Sequence, residues 1–318
     1  MDRFSFLIIA EPPSQLLPHS DTGLAMVREA LARGHRVYWA LPDALEWSVG
    51  DDGHGVEAFC WRVSQCEAGE LPRLEPQKES VSLGSFKSVW VRKEPPFDLT
   101  YARLCWILSL AEEKTGVPEI INSPSLLLLY QEKLLSFSAV AEGYLDESDV
   151  IPTRLSLDIR KIDPDEVGQD LVLKPFDGHG GRSVRLEQKV AQGREVEALT
   201  LVQPFLESIR KGGDRRVFFL DGEMMGSFVR VPASGSILSN LSQGGSAEMR
   251  PMSPREESRA SKLGNFLKAK GLVLAGADMI DEKISEVNIT SPTGFGKLLE
   301  LGGPSLTKLY LDRCEKSV

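Results

Sequence analysis

Residues 171–184 read LVLKPFDGHGGRSV, a stretch that contains two apolar runs on either side of a glycine-rich turn. The first run ends in Lys174 and the second resumes at Val184, which is typical of two β-strands joined by a loop. Glycines in such a loop can adopt positive φ, and successive backbone N–H groups form a concavity suited to phosphate. The pattern indicates a nucleotide held beneath a mobile flap, with a lysine beside it. The alternative is an ordinary hairpin with a surface lysine.

Two common nucleotide motifs do not match this turn. No Gly-Lys-Ser/Thr follows at the spacing of a P-loop. Ser183 occupies the position of the third glycine in a dinucleotide-binding fingerprint. A strand that ends in a lysine and leads into a flexible loop therefore describes this stretch better than either motif.

Composition excludes several classes of protein. A chain of 318 residues predicts two or three domains at about one per 150 residues. The net charge of −9, with no long basic run, argues against nucleic acid as the main partner. No apolar run reaches the roughly 18 residues of a membrane span, and the apolar N-terminal run is too short for a signal peptide, so we expect a cytoplasmic protein with no membrane partner. We expect reduced thiols without metal-ligand spacing at Cys60, Cys66, Cys105 and Cys314.

The N-terminal region predicts a βαβ unit. A buried strand at 6–10 is followed by a helix at 22–33, with Asp21 as its N-cap, and by a second strand at 36–41. This order implies a parallel sheet. Residues 43–87 are mixed in character and suggest only a strand near 55–63.

A second strand-to-loop junction carries two cations. The strand at 89–91 runs into Arg92 and Lys93, at the carboxyl end where open α/β sheets bind ligands. A surface charge pair before a proline turn is the alternative. Helices are predicted at 99–114 and, as one continuous element, at 125–140.

The second half predicts a small domain and a larger body. Short strands at 152–201 surround the glycine loop, and residues 202–206 would form a hinge. A hairpin at 214–231, a loop at 232–245 rich in serine and glycine, and a helix at 254–270 follow.

A hairpin near the C-terminus predicts a metal site. Apolar strands at 272–280 and from Ile284 onward are joined by a predicted turn at 281–283. Glu286 and Asn288 lie two apart on one strand and so share a face, which Asp278 can join from the other strand. Two carboxylates and an amide oxygen are a hard oxygen set suited to Mg²⁺. The alternative is a half-solvated hairpin with polar residues on its wet face.

Together these motifs resemble the ATP-grasp ligases, and most closely the bacterial glutathione synthetase family. The similarity runs roughly from Phe6 to Leu309 and is weakest at 43–87. It rests on LKPFDGHGG at 173–181, Asp214-x-Arg216-Val217, EVNITSPT at 286–293, VRKEPPFD at 91–98, and Asn122-x-Pro124 with Glu132-Lys133-Leu134.

The resemblance implies an α/β ATP-grasp fold in three parts. These are an N-terminal parallel-sheet domain that binds substrate (1–122), a small central lid domain (123–202) and a C-terminal α+β catalytic domain (203–318).

The resemblance also implies an activity. Such a ligase joins γ-glutamylcysteine to glycine through an acyl phosphate and releases ADP and phosphate, and it forms a homodimer or homotetramer. Another ATP-grasp carboxylate–amine ligase is the first alternative. A nucleotide-binding protein without turnover is the second, and the retained lysines and metal ligands argue against it.

Roles for single residues follow from the resemblance alone. Arg216 would stabilise the transferring phosphoryl group, Arg92 and Asp21 would contact substrate, and Asp214 would reach the ribose. Two Mg²⁺ ions, with Mn²⁺ as a substitute, would bind Asp278, Glu286 and Asn288. The rest of the ATP site would comprise Lys133, Lys174, Asp177, Gly178, Gly180, Gly181, Gln203, Phe205 and Leu206.

The loop at 232–245 departs from the family pattern. The family usually carries a Gly-Gly pair and an arginine just before Gly-Asn, whereas this chain has Ile237 and Leu238 there. Asn240 remains as a donor to a developing oxyanion. We therefore expect a weaker hold on the substrate or a broader tolerance of acceptors.

Overall fold

The described part of the computed structural model contains three β-sheets. The structure describes residues 3–50, 53–112, 118–158, 162, 170–178, 180–181, 183–188, 198–236, 239, 241 and 244–317. Within these residues, no helix is both long and apolar enough to cross a membrane.

The first sheet is mixed rather than parallel throughout. Its order is β4-β3-β2-β1-β5-β6, with parallel pairing among β1, β2, β5 and β6 and antiparallel pairing of β3 and β4. Its strands are β1 (Ser5–Ile9), β2 (Arg36–Gly50), β3 (Gly53–Gln65), β4 (Arg73–Ser82), β5 (Ser88–Val91) and β6 (Glu119–Ile121).

The predicted end of β2 at residue 41 was wrong. The strand continues to Gly50 and forms a long hairpin with β3. Pro42 and Asp43 interrupt the apolar run, but a register shift between Ala40 and Leu45 lets pairing resume beyond them.

Helices cover both faces of the first sheet. Along β1, Phe6 and Ile8 pack on the side of α1 (Thr22–Ala32), while Leu7 and Ile9 pack on the side of α2 (Leu99–Glu112). The predicted N-cap is confirmed, because Asp21 Oδ1 accepts from the Leu24 N–H at 2.8 Å.

The predicted continuous helix at 125–140 was wrong. Two helices occupy it, α3 (Pro124–Leu129) and α4 (Leu135–Ala141), and Tyr130 between them is extended at φ −108° and ψ 122°. The break places Glu132 and Lys133 in a turn instead of on a helical face.

The second sheet is antiparallel and small. Its order is β7-β10-β8-β9, and the predicted pair of strands around the glycine turn is confirmed as β8 and β9. The predicted division at 202/203 lies within β10, and the three-part division remains a prediction. The strands are β7 (Arg154–Ser156), β8 (Asp170–Pro175), β9 (Arg185–Gln188) and β10 (Thr200–Pro204).

The third sheet has the order β13-β12-β11-β14-β15. Helices pack against one of its faces and against part of the other. The predicted hairpin at 214–231 and the helix at 254–270 are both found. Its strands are β11 (Asp214–Leu220), β12 (Glu223–Val231), β13 (Ser246–Glu248), β14 (Leu274–Ile280) and β15 (Lys283–Asn288). The remaining helices are α5 (Ile209–Gly212), α6 (Pro254–Lys270), α7 (Phe295–Glu300) and α8 (Leu306–Lys316).

Asn122 joins the first sheet to the third. Its Nδ2 donates to Leu274 O at 2.7 Å and Ile289 O at 2.6 Å, and its Oδ1 accepts from the Leu274 N–H at 2.9 Å. Helix α8 adds an apolar contact, with the Tyr310 ring edge-on to Trp90. The two sheets therefore meet through both polar and apolar side chains.

An ion-pair cluster anchors the 3₁₀ turn at Glu147–Asp149 to α6. Asp149 accepts from Arg259 Nε at 2.8 Å and Lys262 Nζ at 2.9 Å. Burial alone would raise the pKa of Asp149, but the Asp146 N–H and these two cations outweigh it and lower the pKa to about 2.

We predict that Asp149→Asn lowers the free energy of unfolding at pH 7 by about 1–2 kcal/mol, since a depressed carboxyl pKa stabilises the fold wherever the group is ionised. This contribution is present above the unfolded pKa of about 3.9 and is lost as the pH falls towards 2. Urea unfolding of both proteins from pH 7 to pH 3 should show the difference shrinking on acidification. The control is Glu147→Gln at an exposed neighbour, and a difference independent of pH would contradict the assignment.

Candidate active site

One large cavity of about 1540 Å³ lies where the three sheets meet. Ligand pockets are usually about 300–1,000 Å³. This cavity therefore has room for a nucleotide and a second substrate side by side.

Most of the site residues predicted from the sequence lie along this cavity. Arg92 does not line it, and Asn240 lies outside the described residues. The individual roles remain predictions. The lining residues from the predicted set are Asp21, Lys133, Lys174, Asp177, Gly178, Gly180, Gly181, Gln203, Phe205, Leu206, Asp214, Arg216, Asp278, Glu286 and Asn288.

A β-bulge brings the proposed metal ligands onto one face. The turn contains only Asp281 and Glu282, so the predicted three-residue turn was wrong. In a regular ladder, that turn would pair Asp278 with Ser285 and place Glu286 on the opposite face. The register shift between Asp278 and Met279 instead sets Asp278 opposite Glu286.

Asp278 is held by two arginines. It accepts from Arg216 Nε at 2.6 Å and Nη2 at 3.0 Å, and Arg230 Nη2 lies 2.9 Å from its Oδ1. Arg230 also donates to both carboxylate oxygens of Asp214. Burial would raise the pKa of Asp278, but the two guanidinium groups hold it below its usual value.

Glu286 and Asn288 are free to bind a cation. The Glu286 carboxylate has no hydrogen-bond or ion-pair partner within the described part of the chain. Asn288 Nδ2 donates to Gly276 O at 3.3 Å, so its amide oxygen is available. This oxygen set fits Mg²⁺, and among the described residues no group of three His, Cys, Asp or Glu side chains offers an alternative site.

Two lysines lie near the glycine turn, and one of them bonds to it. Lys133 Nζ donates to Phe176 O at 2.9 Å and also to Gly178 O, and Lys174 Nζ donates to Ser285 Oγ at 3.2 Å. Burial lowers the pKa of Lys133, and the neighbouring Lys174 cation lowers it further, against the opposing effect of nearby carboxylates. Two cations beside a glycine-rich turn suit a phosphate chain.

Arg92, which was expected to contact substrate, does not reach the cavity, whereas its neighbour does. Arg92 is buried behind the cavity wall, where its Nη2 donates to Pro292 O at 3.2 Å. Lys93 lines the cavity instead, with its Nζ 3.7 Å from Glu11 Oε1. Which residue after a strand faces a ligand depends on the path of the loop, so the sequence alone did not separate these two.

Sequence reasoning also missed Arg230 and Glu132. Arg230 lies in an apolar strand, and a bulge between Phe218 and Phe219 is needed to set it opposite Asp214. The signal that could have identified Arg230 is a charged residue in an otherwise apolar strand. Glu132 lines the cavity from the turn that interrupts the predicted helix, and no local pattern indicated that break.

Solved structures with the same fold include an ATP-grasp ligase. D-cycloserine synthetase matches with a TM-score of 0.62 at 14% identity and covers 97% of this chain and 99% of its own. An ATP-grasp ligase complexed with a phosphomimetic variant of its minimal precursor, Mg and ADP has a TM-score of 0.61 at 18% identity and covers 99% and 100%. At these identities the comparison shows the fold, and the predicted ATP-grasp fold is confirmed.

Sequence comparisons give the family. The glutathione synthetase of Rhodopseudomonas palustris is 32% identical and covers 96% of both chains, and that of Nitrosomonas europaea is 30% identical and covers 98% of this chain and 97% of its own. Residues 4–127 match the N-terminal domain of prokaryotic glutathione synthetase, and residues 148–303 match its ATP-grasp domain. The chain therefore belongs to the prokaryotic glutathione synthetase family.

Proposed function

We propose that the protein is an ATP-dependent ligase that joins γ-glutamylcysteine to glycine and releases glutathione, ADP and phosphate. Family membership supports this activity. One observation carries this proposal. A single cavity brings together two lysines near the glycine turn, the arginine that Asp278 holds together with Arg230, and the oxygens of Glu286 and Asn288.

The nucleotide end of the cavity lies between the second and third sheets. Lys133 and Lys174 would bind the ATP phosphates beneath the 177–181 turn, and Gln203 to Leu206 would border the adenine. Glu286, Asn288 and Asp278 would hold two Mg²⁺ ions, and Mn²⁺ could replace them. Bound Mg²⁺ neutralises charge on the phosphate oxygens.

The reaction needs positioning and charge stabilisation more than acid–base chemistry. A carboxylate oxygen of the dipeptide attacks the γ-phosphorus, and ADP leaves. The glycine nitrogen then attacks the acyl carbon, and the carbon–oxygen bond to phosphate breaks. Asp278 holds Arg216 and Arg230 in place before substrate arrives, so their cations can stabilise the developing negative charge.

The dipeptide end lies at the switch point of the first sheet. Chains leave β1 and β5 in opposite directions there, which is where open α/β sheets bind ligands. Lys93 offers a cation to the α-carboxylate of a γ-glutamyl group, and Glu11, Asp21 and Glu94 offer carboxylates to its α-ammonium. Loss of hydration raises the pKa of Glu94, and the nearby Arg92 cation partly offsets this.

A different carboxylate–amine ligation is the second candidate function. The observation that favours it is the run from Ser234 to Asn240, where Ile237 and Leu238 replace the arginine usual in the family. Asn240 would still donate to an oxyanion.

We also propose that the protein is a homodimer or homotetramer. Leu99, Trp106 and Leu110 are exposed at helical spacing along α2, which is consistent with a covered face.

Phosphate release with ATP and Mg²⁺ tests the activity directly. We expect γ-glutamylcysteine and glycine together to stimulate release, with one glutathione formed per phosphate. The panel should include α-glutamylcysteine, free amino acids and other dipeptides. Stimulation by another pair alone would select the second candidate function.

We predict that Glu286→Gln lowers turnover by orders of magnitude in a folded protein, at about 1.4 kcal/mol of barrier per factor of ten, because a neutral amide binds Mg²⁺ less well. Steady-state kinetics across a Mg²⁺ titration would measure this. Glu223→Gln, at an exposed strand position outside the cavity, is the control. Near-normal turnover at saturating Mg²⁺ would refute the assignment.

We predict that Lys93→Gln raises the KM for the dipeptide about tenfold or more, the cost of one charge-assisted contact, and leaves the KM for ATP nearly unchanged. Lys78→Gln, which removes an exposed lysine over the Trp61 ring, should change neither constant. An equal rise in both constants for Lys93→Gln would count against a dipeptide contact.

A further inference from the structure

Glu132 accepts three hydrogen bonds from a distant part of the chain. Its Oε1 lies 2.7 Å from Ile289 N, 2.8 Å from Thr290 N and 2.8 Å from Thr290 Oγ1. A single carboxylate oxygen therefore fixes the segment that leaves β15.

That segment begins directly after Asn288, one of the proposed metal ligands. The Ile289 N–H is held by Glu132, and the Ile289 carbonyl is held by Asn122 at 2.6 Å. Ile289 is fully buried. Hydrogen bonds at both the N–H and the carbonyl of Ile289 therefore fix the chain at the end of the proposed metal-binding strand.

The next residue, Lys133, holds the opposite side of the cavity. Its Nζ donates to Phe176 O and Gly178 O in the glycine turn. Because consecutive Cα atoms are about 3.8 Å apart, Glu132 and Lys133 tie the proposed metal-binding strand and the glycine turn to adjacent points of the chain.

The local sequence would favour a different conformation. Gln131, Glu132, Lys133 and Leu134 are all strong helix formers, yet the helix is broken there. A local preference that the fold overrides marks a strained or functional position. The bonds to Glu132 Oε1 offset the lost helical hydrogen bonds.

We propose that Glu132 is a positioning residue that fixes Glu286 and Asn288 relative to Lys133, so that the phosphate chain of ATP and its Mg²⁺ bind as one unit. This inference rests on the proposed function only for the identity of the nucleotide. It concerns binding of Mg-ATP and does not depend on which acceptor is ligated.

Calorimetry with Mg²⁺ and a non-hydrolysable ATP analogue tests the proposal without turnover. Glu132→Ala should raise the Kd about tenfold or more and raise the Mg²⁺ concentration needed for half-maximal binding. Glu132→Gln should stay within about threefold of the parent protein, because its amide oxygen can accept the same bonds. If Glu132→Gln binds as weakly as Glu132→Ala, the proposal is overturned.

A destabilised control separates positioning from general stability. Ser253→Ala removes the N-cap of α6, where Ser253 Oγ accepts from the Glu256 N–H, and should lower Tm without changing the Kd. If Glu132→Ala lowers Tm and leaves Mg-nucleotide binding unchanged, the residue is structural only and the proposal fails.

If Glu132→Ala does not fold, two less disruptive substitutions at Thr290 test the same proposal. Thr290→Val removes one of the three donors, whereas Thr290→Ser keeps it. Weaker Mg-nucleotide binding in Thr290→Val than in Thr290→Ser supports the proposal, and equal binding overturns it. Failure of the proposed function would look different, because the parent protein would bind Mg-ATP yet release no phosphate with the dipeptide and glycine.

Discussion

The paired charges around Asp278 are the constraint on which the active-site face of the third sheet depends. Asp214, Arg230, Asp278 and Arg216 form a chain of alternating sign whose side chains are 8–12% exposed. Removing one member of a buried pair typically costs about 3–5 kcal/mol, because an uncompensated charge is left behind. The register of three neighbouring strands must therefore keep all four side chains on one face: β11 pairs Arg216 with Asp278 directly, and the bulge in the β11–β12 ladder sets Arg230 opposite Asp214.

This arrangement gives Asp278 two competing tasks. Both of its oxygens already accept from guanidinium groups, so a metal ion at Asp278 must share the carboxylate with Arg216 and Arg230. Glu286 has no such commitment among the described residues. A cation that shares this carboxylate would leave more of the arginines' positive charge unneutralised, beside the position proposed for the transferring phosphoryl group, while the guanidinium groups keep their places. Prearranged cations of this kind stabilise a transition state without reorganising during the reaction.

Local patterns predicted the elements that carry their own signals. Helix α6 begins after Ser253 and ends before Gly271, as its capping residues indicate. The strands around the glycine turn and both hairpins of the third sheet were also predictable. The break after Leu129 was not, because residues 131–134 favour a helix, and the contacts that oppose it include those to Ile289 and Thr290, more than 150 residues away. The metal ligands were assigned to one face through a three-residue turn, whereas the molecule reaches the same register through a two-residue turn and a bulge.

These cases separate two kinds of information in the sequence. Short motifs encode the groups proposed to touch a ligand, such as Lys174 before its glycine turn or Glu286 and Asn288 on their strand. The placement of one motif against another depends on single polar side chains that cross between sheets, namely Asn122 and Glu132. Neither side chain has a periodicity that predicts its contacts, because most of its partners are backbone groups that any residue supplies. The geometry of the cavity therefore depends most strongly on residues that local sequence patterns identify least well.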